Sequence, residues 1–359
     1  RAPGKCRHTQ GRVVKLPKRE ALVWALYDWA NTGYAMIGIA LIYPILYKTY
    51  WGATLSDSDQ TFWLATMTVG VASFCVFVLA PILGSLAELG GTRKKLLLRF
   101  ASVGIIACVC MSLLGENQYK LATLTYIIGT VCFYSANIFF DSMLERVSHA
   151  GNRHKISGMG FAFGYAAGFL ILLVIFVVTT YFGTFGFEDA GQASRFLFVF
   201  AGAWWALFTL PLAFFFKEDR KDNPHNTLTT AKLGVIEAWI TLKEIIKQPQ
   251  ILWFLIAYQF YIDGVNFIIG IASNYGTTIG FDTQQIFIAF FCVQITGVPF
   301  ALLFGFLGEK IGPRRMIFVA IIVYMVVSLF GAQLQPEPMF SIGEFAFYEI
   351  YVLAILIGM

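Results

Sequence analysis

Polar residues in this chain are confined to short clusters that punctuate long apolar runs. An α-helix needs about 20 residues to cross a hydrocarbon core of about 30 Å. On that criterion the pattern predicts spans at 21–48, 61–87, 96–115, 121–144, 156–183 and 195–216, then 251–272, 285–307 and 316–334, with a partial span at 345–359. Backbone groups cannot stay unpaired in lipid, so such spans are helices. One stretch, 217–250, breaks the rhythm and opens KEDRKDNPHN. The predicted layout is therefore a tail (1–20), a six-helix bundle (21–216), a charged linker (217–250) and a second bundle (251–359) cut short in its fourth helix.

Charge gives the spans a direction. Of the 26 Lys and Arg residues, only Lys48, Lys120 and Arg195 fall in the alternate loops; the rest lie in the tail, the linker and the 88–99, 145–156 and 308–315 loops. Basic loops stay cytoplasmic, which predicts a cytoplasmic N-terminus. The opposite loops carry Asp57, Asp59, Glu188, Asp189, Asp282 and Glu337.

Composition agrees and narrows the classes. The chain of 359 residues is 58% hydrophobic and 13% charged, against about 25% charged in soluble domains. The net charge of +5 is dispersed among loops and forms no nucleic-acid patch. Of the six cysteines, five lie in apolar spans, and neither a C-x-x-C pair nor a zinc spacing occurs. No metal or cofactor is expected. The four histidines, His8, His149, His154 and His225, all fall in predicted cytoplasmic segments. H-E-x-x-H, G-x-S-x-G and P-loop patterns are missing, which argues against an enzyme or an ATP-driven pump. The chain opens without Met and stops in an apolar run, as a piece of a longer protein would.

Two landmarks repeat. Gly84, Glu88, Gly91, Arg93 and Lys94 follow the second span; Gly305, Glu309, Gly312, Arg314 and Arg315 follow the eighth, each 221 positions later. Asp28 and Asn31 in the first span recur as Asp263 and Asn266 in the seventh, 235 positions on. Two ordered landmarks indicate pseudo-symmetric halves, the layout of a transporter built from parallel repeats.

The repeated loop resembles the G-x-x-x-D-R-x-G-R-R signature of the major facilitator superfamily, with Leu89 and Lys310 where Arg is usual. WALYDWANTGY (24–34), PILGSLAELGGTRKK (81–95), SGMGFAFGYAAGF (157–169) and FLIAYQFYIDGVNFIIGIASNYG (254–276) resemble its vacuolar-effluxer-like branch, which includes autophagy-related amino-acid exporters. Thr32 and Asp141 depart from that branch, where Ser and Asn are common. The resemblance implies an all-α polytopic membrane protein of major facilitator fold, with two six-helix bundles of which the second is incomplete here. It also implies secondary transport of a small solute, with amino acids the substrate class of some eukaryotic members.

An intramembrane carboxylate costs about 2.5–3.5 kcal/mol even on a lenient insertion scale, so Asp28 and Asp263 are candidate site residues. Trp24, Asp28 and Asn31 share one helix face, as do Gln259, Asp263 and Asn266. Asp28 lies about 10 Å and Asp263 about 18 Å into their spans, bracketing a midplane at about 15 Å. These faces would line a central cavity and hold a proton, a cation or a substrate amine. The alternative is structural: the acids bond neighbouring helix backbones or lock the halves together. Asn137 and Asp141 share a face, Asp141 nearer the cytoplasmic end; Gln294 and Glu349 are further intramembrane polar residues. The two repeated loops read as gating elements: their glycines permit tight turns, and their basic residues pair with acids at helix ends, Glu145 for example, or simply anchor the basic face. Gly160, Gly164 and Gly168 form two G-x-x-x-G steps that let helices approach closely. Pro44, Pro81 and Pro299 are expected to kink their helices.

These readings together describe a monomeric secondary active transporter working by alternating access, with a small solute and the lipid bilayer as partners and no nucleic acid. Amino-acid efflux with proton coupling is the leading activity; a receptor or scaffold on a transporter fold is the alternative. The expected location is the cytoplasmic membrane, multi-pass, with the vacuolar membrane second.

Overall fold

The computed structural model describes residues 18–89, 92–149, 151–218, 227–342 and 345–359. Most of the basic tail and the middle of the charged stretch thus lie outside the described residues. The first half consists of α1 (Arg19–Trp51), α2 (Asp57–Ala87), α3 (Arg93–Ser112), α4 (Tyr119–Val147), α5 (Arg153–Thr180) and α6 (Ala190–Phe215). Then come α7 (Thr227–Lys247), α8 (Pro249–Ile279), α9 (Thr283–Ile311) and α10 (Pro313–Gly331). A hairpin of β1 (Pro338–Ile342) and β2 (Phe345–Tyr348) precedes α11 (Glu349–Gly358).

Among the described residues, eight helices are long and apolar enough to cross a membrane: α1 to α6, α9 and α10. The 31-residue α8 covers the seventh predicted span. Two expectations need correction. The partial span at 345–359 begins as strand, with Phe345 paired to Ile342, and is helical only from Glu349. Glu349, expected as a further intramembrane polar residue, is the first residue of that helix. It sits in the first turn of α11 and accepts the Gln335 backbone N–H at 3.0 Å, where the helix dipole favours a carboxylate. Within 217–250, the structure contains α7, which lies against α2 from Val71 onward.

The helix ends explain the charge pattern. At the acidic end, Asp189 accepts the Gln192 N–H at 2.7 Å, and Asp282 forms a capping box with Gln285. Each oxygen satisfies a donor that the first turn leaves unpaired. Arginine and lysine do the converse at the basic end. Arg93 donates from Nε to the Ala87 carbonyl at 2.6 Å and from Nη1 to the Ser142 carbonyl at 2.7 Å, joining the ends of α2 and α4. Lys94 Nζ donates to the Phe216 carbonyl at the end of α6, at 2.6 Å.

The first-half core is rich in aromatic side chains, including the fully buried Tyr27, Tyr34, Tyr43, Tyr47, Trp51 and Trp205. A smaller cluster around Phe281, Ile286, Ile350 and Tyr351 serves the second half. The two halves meet chiefly where α5 and α9 pack along each other.

Pro44 has the predicted effect, placed slightly upstream. Its ring occupies the space of the carbonyl four residues back. The helix leaves regular geometry there, with Leu41 at φ −122° and π-helical turns at Ala35–Ala40 and Tyr47–Trp51. Pro81 and Pro299 lie inside α2 and α9, as does Pro211 inside α6.

Candidate solute site and the seam between the halves

α1 and α4 are joined antiparallel by a ladder of side-chain bonds. Trp24 Nε1 donates to the Phe140 carbonyl at 2.9 Å, Asn31 Nδ2 donates to Asn137 Oδ1 at 2.7 Å, and the Tyr34 and Tyr47 hydroxyls reach Thr130 and Thr123 at 3.0 and 3.2 Å. Progress along α1 matches retreat along α4. Asp28, between the first two rungs, therefore faces the α4 stretch between Phe140 and Asn137, and Asp141 is its electrostatic neighbour. The Asp28 backbone carbonyl takes the Thr32 hydroxyl at 2.6 Å.

α5 closes this cluster from a third side. A Cβ placed on Gly160 would stand 2.7 Å from Asp28 Oδ2 and 3.1 Å from the Trp24 ring; one on Gly164 would be 3.6 Å from Thr32 Oγ1. The two glycines thus let α5 approach the polar face of α1. Gly168, one step further, turns to the other half, where its Cβ would collide with Gln294 of α9 at 2.6 Å. Gln294 is 8% exposed, and its amide nitrogen reaches the Met36 sulfur at 3.7 Å.

Trp24 takes a different place from the one expected of a cavity-lining residue. Its ring is buried, stacked on Phe140 at 4.4 Å, and spends its N–H on a backbone carbonyl. It positions α1 against α4. Gln259 is exposed on α8; the side chains of Asp263 and Asn266 lie outside the described residues, so the second D-x-x-N face is fixed only by its position on that helix. An apolar cavity of about 480 Å³ lies in the second half, lined by Gly276, Val293, Val327 and Ala354 and reaching Gly264, the residue after Asp263.

The repeated loops differ from the expected gates in two respects. Gly84 and Gly305 are not turn residues but lie within α2 and α9. Gly312 does make the turn, with φ +93° between α9 and α10, a backbone region that glycine enters freely. Gly91 and the Glu88 side chain are outside the described residues. Arg93 and Lys94 bond helix-end carbonyls, and Glu145 pairs with Arg153 at 3.8 Å on an exposed surface. Arg314 and Arg315 are exposed in the first turn of α10. Two acids among the described residues bridge elements at these loops: Glu218 Oε1, beyond α6, accepts the Lys94 backbone N–H at 2.9 Å, and Glu309 Oε2 lies 2.7 Å from Lys155 Nζ while its Oε1 accepts the Lys155 backbone N–H at 3.3 Å. Sequence spacing had no signal for Lys155. It lies outside both repeated loops, and only the folding of α5 onto α9 brings it there. The same is true of Gly158, whose Cβ would be 2.6 Å from the Ala301 carbonyl oxygen.

The sequence matches the family described as "Vacuole effluxer Atg22 like" over residues 17–359. It is 29% identical over 313 residues to the uncharacterized MFS-type transporter YxiO of Bacillus subtilis (strain 168), covering 86% of this chain and 72% of that one. Autophagy-related protein 22 of Coccidioides immitis is 22% identical, over 95% of this chain and 74% of its own length. The Pyricularia oryzae protein of that name is 20% identical, and 60% of its length is covered. Among solved structures, the proton:xylose symporter XylE, of the major facilitator superfamily, superposes with a TM-score of 0.66 at 18% identity, over 95% of this chain and 78% of that one.

Proposed function

Because the chain belongs to the Atg22-like vacuole effluxer family of major facilitator transporters, we propose that it exports amino acids by proton-coupled alternating access. It is a multi-pass membrane transporter of a small solute, not an enzyme. The substrate, the coupling ion and the site are the proposed elements.

The observation that carries the reading is the polar cluster of Asp28, Asn31, Asn137 and Asp141 inside otherwise apolar helices. In this reading Asp28 carries the exchangeable proton or meets the ammonium group of the solute. Asn31 and Asn137 already spend one donor and one acceptor on each other, and their remaining amide groups supply hydrogen bonds to a zwitterion. Asp263 and Asn266 contribute from the second half by the repeat. The basic end faces the cytoplasm, by the distribution of Lys and Arg, and the cytoplasmic membrane is the location, supported by the bacterial relative. In the structure, none of the bonds in the cluster favours a receptor or scaffold over transport.

Flux measurements in proteoliposomes test this directly. With an amino-acid panel, an imposed pH gradient should drive net movement of at least one solute, and Asp28→Asn should remove that dependence. If no amino acid moves under either condition, the substrate class is wrong. If a solute moves but Asp28→Asn keeps the response to pH, Asp28 is not the coupling group.

A further inference from the structure

The polar cluster on α1 and α4 is unbalanced in charge. Asp28 is partly buried, Asp141 is exposed, and Asp141 is the charged group that acts on Asp28. Among the described residues, neither carboxylate enters an ion pair, and the Thr32 hydroxyl goes to the Asp28 backbone rather than to its side chain. The elements packed around the two acids bring no cation to them. α5 presents Gly160 and Gly164. α6 meets α1 through Trp204 and Trp205. Arg93 of α3 bonds the carbonyl of Ser142, next to Asp141, and that of Ala87. Every Lys, Arg and His of the described spans lies within two turns of a helix end. Two such carboxylates repel each other and are costly to leave ionised in a membrane. An occupant that supplies positive charge to both removes that cost. A zwitterion with an uncharged side chain has one ammonium and matches one acid only.

The helix geometry also sets where a second positive charge would fall. Asn137 and Asp141 stand one turn apart on the same face of α4, about 6 Å at 1.5 Å per residue. Asn31 Oδ1 and Asn137 Nδ2 lie outside the bond that the two amides share. A solute head held by Asp28 and these amides therefore has Asp141 one turn away, toward the basic end. An ammonium on a flexible four-carbon stem covers that distance. We propose that Asp141 is a specificity-determining residue, which takes the side-chain cation of a basic amino acid. Asp28 meets the α-ammonium of the same solute, and the two asparagines meet its α-carboxylate. The proposal rests on the amino-acid reading above and narrows it to solutes of net positive charge. Asp28 and the amides serve the head common to all amino acids; Asp141 serves the side chain.

Three solutes of one skeleton separate the charges: lysine, norleucine (lysine without its side-chain ammonium) and cadaverine (lysine without its carboxylate). Uptake of each labelled compound is measured in proteoliposomes of the full chain preloaded with the same unlabelled compound, with protein-free vesicles as background. Lysine should enter faster than norleucine by about tenfold, near the lower end of what a hydrogen bond to a charged group contributes. Cadaverine should lag behind lysine. Asp141→Asn keeps the size of the side chain and should bring the lysine-to-norleucine ratio close to one. Because the ratio is taken within one preparation, a loss of folded protein cancels. Glu145→Gln makes the same charge change one turn further along α4, at an exposed acid paired with Arg153, and should keep the parent ratio. The proposal is refuted if norleucine enters the parent as fast as lysine, if Asp141→Asn keeps the parent ratio, or if Glu145→Gln shifts it equally. Norleucine moving without lysine would refute it and leave the amino-acid reading standing. Cadaverine moving in place of lysine would keep the role of Asp141 and overturn the amino-acid reading instead. Movement of none of the three would refute the proposal, and the wider amino-acid panel would then decide the reading beneath it.

Discussion

At the scale of single residues, the polar pairs inside the first half separate groups that hold the bundle together from groups free to act. Asn31 and Asn137 are of the first kind through the bond they share, with the other half of each amide left for the solute. Asn31 is 6% exposed, and its donor is matched to one acceptor across 106 positions of sequence. Replacing one by Leu leaves the other amide buried without its partner, a cost of about 1–3 kcal/mol. Thermal unfolding in detergent should therefore show Asn31→Leu and Asn137→Leu each destabilising, and the double variant less destabilised than the sum of the two. An additive result would mean that the bond contributes nothing. Trp24 belongs with this pair, since its indole N–H is already committed to Phe140. Trp24→Phe should lose about 0.5–1.5 kcal/mol by the same assay and leave substrate affinity unchanged; a large rise in KM at unaltered stability would return Trp24 to the cavity. Asp28 is of the second kind. No hydrogen bond to its carboxylate is among those described, and what surrounds it is a glycine helix and another acid. The sequence made Asp28 and Asn31 conspicuous because acids and amides are rare in apolar runs. It made Trp24 conspicuous for the wrong reason: a shared helix face does not say whether that face meets a cavity or another helix.

Among elements, the long helices were the legible part, because twenty apolar residues have few other stable forms in lipid. Their irregularities were half legible. Pro44 announced a distortion of α1, but the π-helical turns at Ala35–Ala40 and the break at Leu41 depend on how the bundle absorbs the missing hydrogen bond. The strand β2 was not legible at all, because FAFY is as apolar as the helix that follows it, and only pairing with β1 separates the two. α1 also gives a prediction at this scale. Pro44→Ala restores a donor and removes the clash with the carbonyl of Ala40, so the helix can run straight through Leu41. Straightening moves the outer third of α1, from Tyr43 to Trp51, relative to Asp28. The variant should therefore unfold at an equal or higher temperature while transporting more slowly. Unimpaired flux would show that the bend is incidental to the cycle.

For the whole molecule, the separation of charge along the chain and the separation of capping groups in the fold turn out to be one fact. Of the helices that begin at the acidic end, α2, α6 and α9 start on Ser56, Asp189 and Asp282, whose oxygens accept first-turn N–H groups, whereas α4 starts on Gln118 without a side-chain cap. At the basic end, Arg93 binds the Ala87 carbonyl of α2 and the Ser142 carbonyl in the last two turns of α4, and Lys94 binds the Phe216 carbonyl just beyond α6. A carboxylate at a helix start and a cation at a helix finish are each favoured by the helix dipole. The even-numbered helices of the first half run from the acidic to the basic end, so insertion and capping call for the same distribution. Orientation is then strongly fixed, and it can be checked on intact cells. Ser58 and His149 are both exposed, at opposite ends of the molecule. With the parent chain as background for native thiols, Ser58→Cys should react with a membrane-impermeant maleimide on intact cells, whereas His149→Cys should react only after permeabilisation. The reverse pattern would place the basic end outside.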